Sequence, residues 1–327
     1  MKKKKLNYEL LRILACVAVI FHHVANQAAL LYGNGDIKYL YLNNLTCFAV
    51  PVFLMITGFI QLQPERKFNL LKAEKKIVIP LLSFGIVFAL METVFTDRTV
   101  SLKGIGTALL NFIQGDTWTH MWYLYMLIGL YVFIPVVKAY TDRVSKRAFL
   151  SLLAILFFFQ VLLPTLEDHV DFSFGVYLPV KLPYLFYCLV GYYLSKYPLS
   201  ARLSAALSAG SLVLLLGWTA VEKDGFHYYT LPVALLGISL FALFTSIENV
   251  CSGLNEKALL FVSDKTFGIY IVHMVIINIV YKVLHFNPYR FFLPLGWLGV
   301  GAVTFIVSLL GVWILRKIPI VNKIFSV

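Results

Sequence analysis

Two polar residues at a helical spacing stand out in the apolar segment LLRILACVAVIFHHVANQ, residues 10–27. On an α-helix, Arg12 and His23 lie within about 20° of each other and about 16 Å apart along the axis. His22 is rotated by about 80° from Arg12 and should face a neighbouring helix or the edge of that stripe. A guanidinium can bind an anionic group, and an imidazole can act as a base near neutral pH. The spacing therefore predicts a polar stripe with a cation at one end and a base at the other.

Both residues also have a purely structural interpretation. An arginine inside the hydrocarbon region is costly, so Arg12 should face a polar cavity or a partner. Glu9 lies three residues earlier and could pair with Arg12 while the side chain extends towards the membrane surface. His23 could be a packed histidine that is satisfied by one hydrogen bond. The residue types alone leave these alternatives open.

The elements that position these side chains must be membrane helices. The 327-residue chain is 60% hydrophobic and 13% charged, which is more apolar surface than one soluble core can bury. Ten apolar runs reach the roughly 17 to 25 residues that a transmembrane helix needs, so we expect an all-α polytopic membrane protein. The runs are residues 8–31, 40–62, 76–96, 119–137, 148–164, 175–195, 203–221, 228–247, 266–285 and 292–315.

The distribution of basic residues predicts the orientation of the helices. With both termini in the cytoplasm, about 20 lysines and arginines fall on the cytoplasmic side and about five on the opposite side. The net charge of +12 is thus explained by topology, and no nucleic-acid partner is expected. The start MKKKK followed by an apolar run resembles a secretory signal, but no small-residue cleavage site follows, so we expect a retained first helix. Residues 1–327 are expected to form a single membrane domain without an attached soluble domain.

Two other segments have patterns that bear on function. The stretch SLKGIGTALLNFIQGD, residues 101–116, has apolar residues at helical spacing and predicts a short amphipathic helix along the outer surface. The acidic stretch LEDHVD, residues 166–171, could suggest a metal site but lacks further clustered ligands. The four cysteines have no pairing or metal-ligand spacing and are interpreted as small core residues. No metal is expected.

Five stretches, in order along the chain, resemble the membrane acyltransferase 3 family. In YELLRILACVAVIFHH, an arginine is followed after ten residues by a histidine, and that spacing selects Arg12 and His23. The stretches VPVFLMITGF, KAEKKIVIP, HMWYLYMLIGLY and TFGIYIVH resemble later helices of the family. The basic stretch has lysines where arginines are commoner in the family, which changes the geometry of a phosphate contact.

The resemblance implies transfer of an acyl group, usually acetyl, from cytoplasmic acyl-coenzyme A to a hydroxyl of an extracytoplasmic sugar or related molecule. It implies an enzyme of the bacterial cytoplasmic membrane with Arg12 and His23 as catalytic residues and His23 as general base. A covalent acyl-histidine is the less favoured variant. The slim face of Ala15, Cys16 and Val19 would admit the thin arm of coenzyme A. Cations for its phosphates are Arg12, Arg66, Lys72, Lys75 and Lys76. These lysines are equally explained as orientation signals.

Polar and aromatic residues near the predicted outer level are candidates for binding the acceptor. They are Asn26, Glu92, His120, Trp122 and Tyr123. Aromatic faces and polar tips suit a carbohydrate, although an interfacial aromatic belt has the same composition. An oxyanion donor is not identified; His22, Asn26, His120 and Tyr123 are candidates.

The main alternative is a transporter or flippase of a small polar or glycolipid substrate, because a substrate pathway through a membrane also has many spans and a polar stripe. Transport does not require Arg12 and His23 on one helix face, whereas donor chemistry does. A sensor or scaffold would leave the buried arginine and histidine unexplained. The expected partners are acetyl-CoA or another acyl-CoA as co-substrate, an extracytoplasmic carbohydrate or glycolipid acceptor, and membrane lipid. The sequence leaves a homodimer, the acceptor and the acyl group open.

Overall fold

The computed structural model describes residues 2–33, 37–97, 101–168, 175, 183–247, 251, 253–290 and 293–325. All regular structure in these residues is helical. The α-helices are α1 (Lys2–Tyr32), α2 (Ile37–Thr46), α3 (Ala49–Gln61), α4 (Leu70–Pro80), α5 (Ile86–Asp97), α6 (Leu102–Gln114), α7 (Trp122–Thr141), α8 (Lys146–Phe157), α9 (Leu163–Glu167), α10 (Pro183–Lys196), α11 (Ala201–Glu222), α12 (Leu231–Ser246), α13 (Glu256–Ser263), α14 (Thr266–Asn278), α15 (Leu293–Leu315) and α16 (Pro319–Phe325).

Wider and tighter turns interrupt or extend several of these helices. A π-helical turn at Leu81–Gly85 joins α4 to α5, another at Phe158–Leu162 joins α8 to α9, and a third at Ile279–Val283 extends α14. Prolines lie beside the first two turns, where a missing N–H breaks the regular hydrogen-bond pattern. Two 3₁₀ turns, Thr119–Met121 and Pro288–Arg290, precede α7 and α15.

The apolar helices agree with the predicted membrane spans. Within the described residues, eight segments are long and apolar enough to cross a bilayer: Leu6–Tyr32, Lys38–Gln61, Leu70–Thr93, Leu102–Thr141, Lys146–Glu167, Ala201–Glu222, Thr266–Val283 and Leu295–Leu315. The run predicted at 228–247 forms the shorter helix α12. The run predicted at 175–195 is seen as α10, and residues 176–182 lie outside the described part. The prediction of an all-α polytopic membrane protein is confirmed, while the cytoplasmic placement of both termini stays a prediction.

The predicted amphipathic helix at 101–116 is also present. Helix α6 begins where the Ser101 hydroxyl accepts a 3.0 Å hydrogen bond from the Gly104 N–H, and it ends at Gly115 with a φ of 79°. Leu102 and Leu109 of the predicted apolar stripe are exposed on its surface. The helix is therefore confirmed, and its position along the outer surface stays a prediction.

Helix α1 lies at the centre of the bundle, which is what holds its polar residues inside the protein. It packs against α2, α3, α12, α13, α14 and α15. Leu11, Ile20 and Val24 are almost completely buried in these contacts. Because neighbours surround α1, the stripe that carries Arg12 and His23 faces protein and cavities.

Helices α3 and α10 cross at very short range, and two glycines allow the approach. A Cβ atom on Gly58 would collide with the carbonyl of Cys188, and one on Gly191 would collide with the backbone of Met55. Small residues serve this purpose in membrane helix packing, where close backbone approach supplies van der Waals contact. Cys188 is buried and free, in agreement with its interpretation as a small core residue.

Candidate active site

Three cavities follow one another through the helix bundle. We call them the basic cavity, of about 800 Å³, the histidine cavity, of about 190 Å³, and the Glu92 cavity, of about 420 Å³. The basic cavity has six cationic side chains in its lining, Arg12, Arg66, Lys67, Lys72, Lys76 and Arg316. The histidine cavity is lined by Arg12, His22, His23 and His120 together with aromatic side chains, including Phe53, Trp122, Tyr123, Tyr228, Phe267 and Tyr270.

The order of the cavities can be read along α1. Arg12 lines both the basic and the histidine cavity, His23 lines the histidine cavity, and Gln27 lines the Glu92 cavity. The helical rise places Arg12 and Gln27 about 22 Å apart along the axis. The three spaces therefore extend across much of the thickness of a bilayer.

Helix α14 gives the same order of the three cavities, and α7 gives the same order for two of them. Along α14, Phe267 lines the basic and histidine cavities, Tyr270 the histidine cavity and Asn278 the Glu92 cavity. Along α7, which runs in the opposite sense, Trp122 lines the histidine cavity and Leu127 lines both the histidine and basic cavities. The arrangement thus belongs to the bundle and not to one helix.

Arg12 lies at the junction of the basic and histidine cavities. Its Nη1 atom donates a 2.8 Å hydrogen bond to Oε2 of Glu9, the pairing that the sequence offered as a structural explanation. Glu9 is held in turn by a hydrogen bond from the Ser263 hydroxyl on α13. A guanidinium has five N–H donors, so pairing with one carboxylate oxygen fixes Arg12 and leaves donors available for a ligand.

The adjacent histidines of α1 face different surroundings. His22 Nδ1 lies 3.3 Å from the carbonyl oxygen of Asn43 and 3.3 Å from the Thr46 hydroxyl, so this ring faces α2, as its helical rotation predicts. His23 is half-buried and lies among imidazoles, with ring centroids 6.3 Å from His120 and 5.2 Å from His273. His23 and Arg12 line the same cavity, as their spacing predicts.

Backbone carbonyls orient the two partner imidazoles of His23. His120 Nε2 lies 3.1 Å from the carbonyl oxygen of Ile271, and His273 Nδ1 lies 2.6 Å from that of Tyr270. Because a carbonyl oxygen only accepts, these ring nitrogens carry the hydrogen. The other nitrogens, His120 Nδ1 and His273 Nε2, are buried without a hydrogen-bond partner in the described part of the chain and are acceptors in the neutral rings. His273 was not among the predicted site residues, although the histidine that closes TFGIYIVH was a signal for it.

The basic cavity brings together most of the cations that were predicted for the donor. Arg66, Lys72 and Lys76 line it, whereas Lys75 is exposed and lies outside its lining. About the axis of α4, Lys76 lies about +40° from Lys72, whereas Lys75 lies about −60° from Lys72. The helix therefore directs Lys75 away from the basic cavity. Two cations that were not predicted for this role also line the cavity, Lys67 and Arg316. Either one could have been inferred only as a basic residue near a helix end.

The predicted slim face of α1 only partly lines the site. Val19 lines the histidine cavity. Ala15 and Cys16 are completely buried outside its lining, and the Cys16 thiol contacts the Thr266 carbonyl oxygen at 3.7 Å. Helix α14 covers this part of α1. The expectation that Ala15 and Cys16 border the space for the arm of coenzyme A is therefore wrong.

The structure separates the residues that were predicted to bind the acceptor. His120, Trp122 and Tyr123 line the histidine cavity, and Glu92 lines the cavity named after it. Asn26 lies outside the lining of all three cavities, and its side-chain oxygen accepts a 2.8 Å hydrogen bond from the Tyr39 hydroxyl. The next residue along α1, Gln27, faces the Glu92 cavity instead, because successive residues of an α-helix are rotated by about 100° about its axis.

The histidine cluster and the acidic stretch contain residue types that can bind metals. Within the part of the chain that the structure describes, no group of three or more His, Cys, Asp or Glu side chains is placed to hold a metal ion. His169 and Asp171 of LEDHVD lie outside the described residues.

Comparison with known proteins identifies the family. The acyltransferase domain family, Acyl_transf_3, matches residues 5–316. A Bacillus subtilis (strain 168) protein named "Putative membrane-bound acyltransferase YfiQ" is 22% identical over 305 residues, which cover 84% of this chain and 82% of that protein. No solved structure gives a significant match. The chain therefore belongs to the membrane acyltransferase 3 family, and its described part has eight helical segments long and apolar enough to cross a membrane.

A second group of relatives is similar over a shorter region. A Staphylococcus aureus (strain MSSA476) protein named "Probable poly-beta-1,6-N-acetyl-D-glucosamine export protein" is 24% identical over 140 residues, or 41% of this chain. The match spans 37% of that protein's own length. The corresponding protein of strain MRSA252 shows the same identity and coverage.

Proposed function

We propose that this protein transfers an acyl group, most simply acetyl, from cytoplasmic acyl-CoA to a hydroxyl of an extracytoplasmic sugar or cell-surface glycan. The observation that carries the proposal is the position of Arg12, which lines both the basic cavity and the cavity that contains His23. A donor with an anionic nucleotide and a reactive thioester at the end of a long arm needs this combination. The loop charges support a cytoplasmic opening of the basic cavity.

The size and charge of the two cavities support a division of the donor between them. The basic cavity has six cationic side chains in its lining and one carboxylate, that of Asp264, which suits the phosphates of coenzyme A. The histidine cavity has less than a quarter of that volume and suits a thin arm with a small acyl group. Acetyl is therefore the first donor to test, before succinyl or longer groups.

In the proposed reaction His23 acts as general base. It takes the proton of the acceptor hydroxyl as the oxygen attacks the thioester carbonyl carbon. The C–S bond of the tetrahedral intermediate then breaks, the acyl ester is formed, and coenzyme A leaves as the thiol after receiving that proton. The Tyr123 hydroxyl, which lines the same cavity, is the proposed donor to the oxyanion. In its neutral form His120 has an acceptor at the free nitrogen and is less suited to this role.

The relatives support a glycan as acceptor and a bacterial cytoplasmic membrane as location. The printed name of the Staphylococcus aureus relative concerns a polymer of N-acetyl-D-glucosamine, whose repeating unit carries free hydroxyls. Trp122 and Tyr228, with ring centroids 5.3 Å apart in the lining of the histidine cavity, suit contact with a sugar at the point where its hydroxyl meets the acyl group. Acyl-CoA, a carbohydrate or glycolipid acceptor and membrane lipid are the proposed partners.

The test is acetyl-CoA binding to protein in lipid nanodiscs, measured by calorimetry for wild type, Arg12→Ala and His23→Ala. We expect the wild type to bind, Arg12→Ala to lose affinity, and His23→Ala to retain affinity but lose acyl transfer. Retention of full transfer by His23→Ala would exclude the base assignment. Absence of binding by the wild type to acetyl-CoA and to longer acyl-CoA donors would refute the proposal.

Transport of a glycan or glycolipid is the second candidate, and the word export in the name of the Staphylococcus aureus relative favours it. The three successive cavities are also compatible with a substrate pathway. A transporter would move its substrate in the absence of acyl-CoA and would tolerate His23→Ala. Measured glycan release that depends on neither acyl-CoA nor His23 would favour this second candidate.

A further inference from the structure

The Glu92 cavity is chemically different from the two cavities that the donor would occupy. Its lining has carboxylates, amides, hydroxyls and one ammonium group, with only a few apolar side chains such as Ala89 and Met274. Its volume of about 420 Å³ lies within the usual range of small-molecule sites. The size and polarity of this space therefore suit a small polar ligand.

Glu92 contacts two polar side chains at the wall of this cavity. Its Oε2 atom accepts a 2.8 Å hydrogen bond from Trp118 Nε1, and Lys282 Nζ lies 3.3 Å from Oε1. Lys282 lies in the π-helical turn that extends α14, a kind of turn that is frequent at functional sites. The carboxylate and the ammonium group thus lie side by side, with lone pairs and N–H donors left for a ligand.

Asn278 supplies a second, independent observation. It is 2% exposed, it lines the Glu92 cavity, and its buried side-chain oxygen has no hydrogen-bond partner among the residues that the structure describes. Buried polar atoms are almost always satisfied, and the exceptions call for an explanation. A ligand hydroxyl that donates to this oxygen would provide it.

The Glu92 cavity shares a thin wall with the histidine cluster. Trp118 and Thr119 line the Glu92 cavity, and the next residue, His120, lines the histidine cavity. The His120 ring centroid is 6.4 Å from that of Trp118 and 6.3 Å from that of His23. A molecule in the Glu92 cavity is therefore one side chain away from the proposed base.

We infer that the Glu92 cavity binds one pyranose unit of the acceptor and presents a hydroxyl towards His120 and His23. This inference rests on the proposed function. Glu92 and Asn278 accept hydrogen bonds from sugar hydroxyls, and Lys282 donates to a ring or hydroxyl oxygen. A nucleotide is disfavoured because the cavity combines one lysine with the carboxylates of Glu92 and Asp116, and an acyl chain is disfavoured by the polar lining.

The test blocks the cavity with a thiol reagent and needs no knowledge of the sugar. Thr107 on α6 lines the cavity, and Lys103, one turn earlier, is exposed and outside its lining. Thr107→Cys and, as matched control, Lys103→Cys are made in a Cys251→Ser background, because Cys16, Cys47 and Cys188 are buried. Cells are treated with a small or a bulky membrane-impermeant methanethiosulfonate, and mass spectrometry confirms that both cysteines react.

Two readouts separate the inference from the proposed function. We expect the bulky adduct on Thr107→Cys to lower labelled acetyl transfer into envelope carbohydrate by about tenfold or more, because a displaced substrate reacts more slowly. The small adduct should have less effect. Acetyl-CoA binding should be unchanged, and the Lys103→Cys adduct should leave both readouts unchanged. Full transfer with the bulky Thr107→Cys adduct, or equal loss of donor binding, overturns the inference. Failure of the unmodified protein to bind acetyl-CoA overturns the proposed function instead.

Discussion

Replacing two neighbouring lysines of α4 one at a time shows whether they bind a donor phosphate or only set the orientation of the helix in the membrane. Lys76 lines the basic cavity, whereas Lys75 is exposed outside its lining. If the lysines act only through the positive-inside effect, Lys75→Gln and Lys76→Gln have equal consequences, since both residues have the same charge at nearly the same depth. If Lys76 contacts a donor phosphate, only Lys76→Gln weakens acetyl-CoA binding. Glutamine keeps a similar length and removes the charge.

The size of the effect follows from the position of the side chain. Lys76 is half-buried in the wall of the cavity, so its contact with a phosphate is partly shielded from water. A hydrogen bond to a charged group in such a place contributes about 1.5 to 3 kcal/mol, or roughly tenfold to a hundredfold in Kd. Lys72 is exposed, so Lys72→Gln should cost at most about 1 kcal/mol. Lys75→Gln should change Kd by less than about twofold.

The assay is calorimetric titration of acetyl-CoA into wild type and the three single variants at two salt concentrations. The Lys76 contribution should persist at high salt better than that of Lys72, because a half-buried charge is screened less than an exposed one. Reporter fusions to the loops establish that each variant keeps the wild-type orientation. Equal losses for Lys75→Gln and Lys76→Gln would refute the reasoning, as would no loss in any variant.

Three further outcomes follow from the geometry. His273→Ala should lower acyl transfer while acetyl-CoA affinity stays unchanged, because it removes the imidazole 5.2 Å from His23 and not a donor contact; equal loss of both would indicate a general packing defect. Tyr123→Phe should lower the transfer rate by about a hundredfold if its hydroxyl stabilises the oxyanion, with little change in donor affinity, and an unchanged rate would exclude that role. Gly58→Ala should lower thermal stability by about 1 to 3 kcal/mol or prevent assembly, because its Cβ meets the Cys188 carbonyl. Gly210→Ala is the control, because a Cβ there meets no atom of the described residues within 4 Å, and equal melting temperatures of the two variants would contradict the α3–α10 contact.

Local properties of the chain could be predicted from the sequence because they depend on residues close to one another. The apolar runs predicted the spans, since a bilayer requires a certain length of apolar helix. The spacing of Arg12 and His23 predicted that both line one cavity, because the rotation per residue of an α-helix is constant. The rotation of His22 towards a neighbouring helix followed from the same rule. The family resemblance came from short motifs of the same local kind.

The composition of the site depended on which helices are neighbours. Lys282 meets Glu92 across 190 residues of sequence, and His120 and His273 approach each other with ring centroids 5.1 Å apart. Lys75 and Lys76 look alike in sequence, yet only one lines the basic cavity. Membrane helices are apolar on almost every face, so hydrophobic periodicity does not reveal which face meets which neighbour. The sequence by itself determined the class of protein and which residues of one helix lie on the same face. Only the tertiary packing decided which side chains from different helices share a cavity.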